Sequence, residues 1–173
     1  MKNSKVIALA AVSAAFVVLL LIAGAYIEVL DLSCLFFASL ALMLPLTKNS
    51  RAGAFLAYLA GVFLGFIFTG MRLQIMLPYA LFFGLHPIVN DIIEKKNFNK
   101  ILALVIKTVW FVGVAFIVYY FTSFFVIENE VIKKYIIPII IVGGTLFFII
   151  YDYIMQRMQK SMNVIIDRVI KKK

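Results

Sequence analysis

The residues of this chain that could do chemistry are few, and they fall into two groups. His86, the single histidine, stands four residues before Asn90, a spacing that sets both on one face of a helix, and Asp91 follows at once. Lys107 and Asp152 interrupt later apolar runs. These five could form an ionic or hydrogen-bonded network. The second group contains Glu28, Asp31, Arg72, Gln74, Tyr119 and Tyr120, with Thr122 and Ser123 close by. Acids, an arginine, an amide and aromatics together suit a pocket for a small polar ring compound. An aromatic belt at a membrane interface is the competing account of Tyr119 and Tyr120.

Neither group matches a catalytic pattern. The chain has no pair of histidines for a metal, no glycine-rich phosphate loop, no nucleophile elbow and no paired aspartates in a protease motif. A single cysteine, Cys34, excludes an internal disulfide, and a single histidine excludes a His-rich metal site. A Cys/His nucleophile pair would need Cys34 and His86 to meet from opposite ends of their segments. The expectation is a protein without enzymatic activity, metal or cofactor.

Composition dictates what must position these residues. Of 173 residues, 65% are hydrophobic, 15% aromatic and 14% charged, and the mean hydropathy is +1.08. Soluble domains are about 45–50% apolar and about 25% charged, so this chain has too little polar surface for a water-facing exterior. An integral membrane protein is expected. A spanning helix takes about 20 residues to cross a hydrocarbon core of about 30 Å, so six or seven spans consume the chain. No length is left for a soluble catalytic, nucleotide-binding or receptor domain.

Six apolar stretches, none with the period-two alternation of a barrel strand, predict an all-α fold of six transmembrane helices at about 6–27, 32–47, 52–69, 73–93, 101–126 and 135–155. These make one transmembrane domain over 1–155. Residues 156–173 read as a basic amphipathic helical extension, because Met155, Met158, Met162, Ile165 and Val169 recur at spacings of three and four. Such a helix would lie in the inner headgroup layer or dock on a partner.

The charges then orient the chain. There are 17 Lys and Arg against 8 Asp and Glu, a net +9. With the N-terminus inside, Lys2, Lys5, Lys48, Arg51, Lys95, Lys96, Lys100 and all five cations after Arg157 together with Arg157 itself fall on the cytoplasmic side, against Arg72, Lys133 and Lys134 outside. Both termini should be cytoplasmic (N-in, C-in), and the excess charge points to topology and membrane lipids rather than nucleic acid. The Ala23-Gly24-Ala25 run leaves open signal-peptide cleavage after the first span, which would remove one helix without changing the orientation of the rest.

Two features bear on how helices associate. Small residues allow close backbone approach where lipid offers no hydrophobic drive. Gly53, Ala57, Gly61 and Gly65 form such a groove on the third stretch, which suits internal packing, while Ala10 with Ala14 and Ala11 with Ala15 give the first stretch a flat surface able to receive another protein's helix. A charge at the centre of an isolated span costs about 2.5–3.5 kcal/mol. Lys107 lies about 9 Å along its helix at about 1.5 Å per residue. It must either snorkel to the headgroups or pair with Asp91 or Asp152.

Six spans in so short a chain, both termini inside, and an alanine-rich first helix (Ala10, Ala11, Ala14, Ala15) resemble the substrate-binding S component of energy-coupling factor transporters. The resemblance covers most of the chain as architecture and rests on the alanine spacing as its motif. It implies a bacterial inner-membrane protein that binds a vitamin or related micronutrient near the outer surface. It also implies a coupling membrane protein docked on the alanine face and two ATP-binding cassette ATPases that drive uptake. Met1-Lys2-Asn3-Ser4 lacks the histidine that metal-specific members carry near the N-terminus. The rod-shape scaffold protein of the cell-wall elongation machinery is similar in length and span number, and offers the alternative of an adaptor without a ligand.

Overall fold

The computed structural model describes residues 2–122 and 135–171. Ser123, Lys133, Lys134, Lys172, Lys173 and the last residues of the fifth expected span lie outside that description, as does the side chain of Glu28.

Every regular element among the described residues is helical: α1 (Lys2–Tyr26), α2 (Asp31–Ala41), α3 (Met43–Leu46), α4 (Arg51–Phe68), α5 (Leu73–Pro78), α6 (His86–Lys95), α7 (Lys100–Thr122) and α8 (Gly144–Lys171). Five continuous helices are long and apolar enough to cross a membrane: Ser4–Tyr26, Arg51–Phe68, Leu73–Lys95, Lys100–Thr122 and Tyr135–Ile166. This is the make-up of a multi-pass membrane protein. The second apolar stretch differs from the five. It is the shorter helical segment Asp31–Leu46, jointed at Leu42, and it falls below the length of about 20 residues that a full crossing takes.

The small-residue groove of α4 is filled from within. A Cβ on Gly61 would lie 2.5 Å from Val17 Cγ1, one on Gly65 3.0 Å from Leu21 Cδ1, and one on Gly53 3.4 Å from Ala10 Cβ. The register runs in step along both chains, so α1 and α4 lie parallel with their backbones close. The Ser50 side chain caps α4 by accepting from the Gly53 amide at 3.1 Å. The α2–α3 pair returns antiparallel to α1, joined to it where Ser13 Oγ donates to the Ala41 carbonyl at 2.7 Å.

The segment Leu73–Lys95 owes its shape to its prolines. Between α5 and α6 the chain makes a π-helical turn, Tyr79–Phe83, in which the Gly84 amide reaches the Tyr79 carbonyl at 2.8 Å and so leaves that of Ala80 free. Tyr58 Oη donates to the Ala80 carbonyl at 2.9 Å. Pro87 has no N–H to offer the Phe83 carbonyl four residues back, and Ser39 Oγ donates to that oxygen at 2.6 Å. Neighbouring side chains thus satisfy the backbone groups that an apolar surrounding would leave unpaired.

The outward turn of the segment carries Phe82 into the core, against Trp110, Phe111, Phe148 and Tyr151. α8 packs antiparallel on α7 and runs without a break across residues 155 and 156, so the expected extension continues the last span. Its inward face there is Asp152, Met155 and Gln159, all buried, whereas Met158 and Ile165 are exposed.

Candidate functional site

α6, α7 and α8 bring His86, Asn90, Lys107 and Asp152 into one buried cluster. Lys107 Nζ donates to Asp152 Oδ1 at 2.5 Å and to Asn90 Oδ1 at 2.8 Å. His86 Nε2 lies 3.0 Å from the same Asp152 oxygen, and Asn90 Nδ2 donates to it at 3.4 Å. Gln156, one turn beyond Asp152 on α8, donates to the other carboxylate oxygen at 2.8 Å. Lys107 is 3% exposed and Asp152 2%, so the lysine ends inside the cluster and not at the protein surface. One carboxylate and one ammonium cancel in charge, and the amides and imidazole fill the remaining hydrogen-bonding positions, the condition under which such a pair tolerates burial.

Asp91 stands apart from this cluster. It accepts from Arg51 Nε of α4 at 2.7 Å and pairs with Lys95, four residues on, at 2.7 Å. The sequence left Asp91 and Asp152 open as partners of Lys107. The pair is with Asp152 because Asn90, not its neighbour Asp91, shares the inward face of α6 with His86.

The cluster is closed on one side and open on the other. The His86 ring is walled by Phe82, Phe148 and Tyr151, with ring centres 5.1, 5.9 and 4.9 Å away, and its Nδ1 has no hydrogen-bond partner among the described residues. Tyr151 is itself held by donating to Ser39 Oγ at 3.2 Å. In the other direction Asn90 and Lys107 border a polar cleft of about 390 Å³ that also takes in Glu94, Asn97, Lys100, Gln156, Gln159 and Lys160. Gln159 is 5% exposed and makes no hydrogen bond among the described residues.

The outer group is engaged in other ways. Arg72 Nη1 donates to the Ala25 carbonyl, and its guanidinium lies over the Tyr26 ring, 4.8 Å from the centre. Asp31 Oδ1 accepts from the Leu32 amide at the start of α2. Gln74 and Tyr120 are exposed, Tyr120 against the edge of Phe121, and Tyr119 is half-buried. Glu28 begins a short 3-10 turn, Glu28–Leu30. On α1 the four alanines divide: Ala10 and Ala14 turn inward, while Ala11 and Ala15 are exposed in line with Ala8.

Gln156 and Gln159 were absent from the sequence reading, though a signal existed. They follow Asp152 by four and seven residues, which places all three on one helix face. The Ser39–Tyr151 contact has no such signal, since its partners are 112 residues apart. Among the described residues no three His, Cys, Asp or Glu side chains come together as metal ligands.

Comparison with known protein families, with characterised proteins and with solved structures finds no match to the chain.

Proposed function

We propose that this protein is the substrate-binding membrane subunit of an energy-coupling-factor-type uptake transporter for a vitamin or related micronutrient. It would sit in a bacterial cytoplasmic membrane with both termini inside and with the Asp31–Leu46 segment as its sixth, shorter crossing. The observation that carries the reading is the line Ala8, Ala11 and Ala15, exposed along α1 while the glycine groove of α4 is already occupied. A helix of a coupling membrane protein could approach closely on that line. The protein would depend on that partner and on two ATP-binding cassette ATPases for energy.

The test is purification of the full chain from its native membrane in mild detergent, with its co-purifying proteins identified and retained small molecules sought by native mass spectrometry. The expected result is a coupling protein with ATPases. Ala11→Trp with Ala15→Trp should abolish that association and leave the isolated chain folded. Undiminished association in the double variant would overturn the alanine line as the docking surface.

The alternative of a membrane scaffold is favoured by one observation: Arg72, the cation of the expected outer ligand set, is held by Ala25 and Tyr26 of its own chain. Co-purification of cell-wall elongation proteins, with no small molecule retained, would decide for it.

A further inference from the structure

The polar cleft between α6, α7 and α8 is flanked by a groove of a different kind. The groove, about 480 Å³, is lined by Val89, Ile92, Ile106 and Trp110 with Lys96 as a further cation, and it shares Ile93, Phe98, Ala103 and Lys107 with the cleft. A hydrogen-bonding chamber and an apolar channel therefore meet at one wall, a shape that fits a molecule with a polar head and an apolar chain. Lys100 is the first residue of α7, a helix long enough to cross a membrane, so the cleft opens at one end of that helix, where the headgroup of a lipid beside the bundle would sit.

The charges of the cleft select the head. Lys107 is neutralised by Asp152, whereas Lys100 and Lys160 have no ion-pair partner among the described residues and face only Glu94. The balance favours an anion. Gln159 adds a neutral donor to the same wall: it lines the cleft and makes no hydrogen bond among the described residues, so its amide can serve a phosphate oxygen.

We propose that this cleft and groove bind an anionic glycerophospholipid of the adjacent leaflet. Its phosphate lies among Lys100, Lys160 and the Gln159 amide, and one acyl chain lies over Ile92, Ile106 and Trp110. The site is independent of the uptake reading, because it sits at the end of the bundle opposite Arg72 and away from the exposed face of α1.

The experiment is native mass spectrometry and thermal unfolding of the full chain in mild detergent, titrated separately with phosphatidylglycerol, phosphatidylcholine and inorganic phosphate. Phosphatidylglycerol should bind and raise the melting temperature, and the other two should do neither at matched concentration. Lys100→Gln and Lys160→Gln should each weaken phosphatidylglycerol binding by about fivefold. Gln159→Leu should melt no lower than the parent without lipid, yet lose most of the lipid-dependent rise. Equal binding of the two lipids, protection by inorganic phosphate alone, or undiminished binding in the lysine variants would overturn the proposal.

Discussion

Lys107 Nζ and Asp152 Oδ1 lie 2.5 Å apart, tying α7 to α8 at a point where both side chains are buried. Breaking a buried pair by removing one partner costs about 3–5 kcal/mol, because the remaining charge stays in an apolar surrounding. Lys107→Met should therefore lower the melting temperature in detergent sharply. Lys107→Met combined with Asp152→Leu should melt above the single variant, since no charge is stranded. A single variant that melts with the parent would exclude the ion pair.

Ser39 and Pro87 are coupled through the Phe83 carbonyl. Ser39→Ala removes the donor that replaces the missing proline N–H and leaves Tyr151 Oη without its acceptor, a cost of about 1–3 kcal/mol. In a Pro87→Ala background the new N–H can serve Phe83, so the same serine substitution should cost less. A double-mutant cycle on thermal unfolding measures the difference, and zero interaction energy would separate the two residues.

Gly61 marks a close approach inside the bundle, where a Cβ would fall 2.5 Å from both Val17 Cγ1 and Tyr79 Oη. Gly61→Val should cost about 1–3 kcal/mol or more by overpacking. Gly113→Val is the control, for nothing lies within 4 Å of a Cβ there. Size-exclusion profiles of the two variants should differ, with aggregation confined to Gly61→Val.

Arg72→Ala gives up a hydrogen bond to the Ala25 carbonyl and the contact with the Tyr26 ring, together about 1–2 kcal/mol. Arg72→Lys should recover only part of it, because an ammonium lacks the planar stacking face. If Arg72 also contacts a transported solute, loss of the retained molecule in native mass spectra will exceed what the melting change accounts for. Proportional losses would make Arg72 a structural residue.

Composition and local pattern suffice for what depends on near neighbours along the chain. The apolar stretches of the sequence agree with the five membrane-length helices to within a few residues at most ends, because twenty apolar residues in lipid have few alternatives to hydrogen-bonding within one helix. The last span is the exception. Its helix carries on through Met155 with no turn former to stop it, so a change of polarity along the sequence marked no structural boundary. The glycine and alanine spacing likewise announced a close helix contact, but not that α1 would fill the α4 groove with its inward alanines and leave Ala11 and Ala15 outside.

Only the tertiary structure decided which charges meet. Asp91 and Asp152 were equivalent candidates for Lys107 by type and depth. The choice between them turned on the rotation of α6, which points Asn90 and His86 inward and sends Asp91 to Arg51 on α4. That rotation follows from the π-helical turn and the two prolines, whose backbone vacancies are closed by Tyr58 and Ser39 from other helices. Hydrogen bonds within a helix are local and can be read from sequence, whereas the facing of one helix toward another is settled by contacts between residues far apart in the chain.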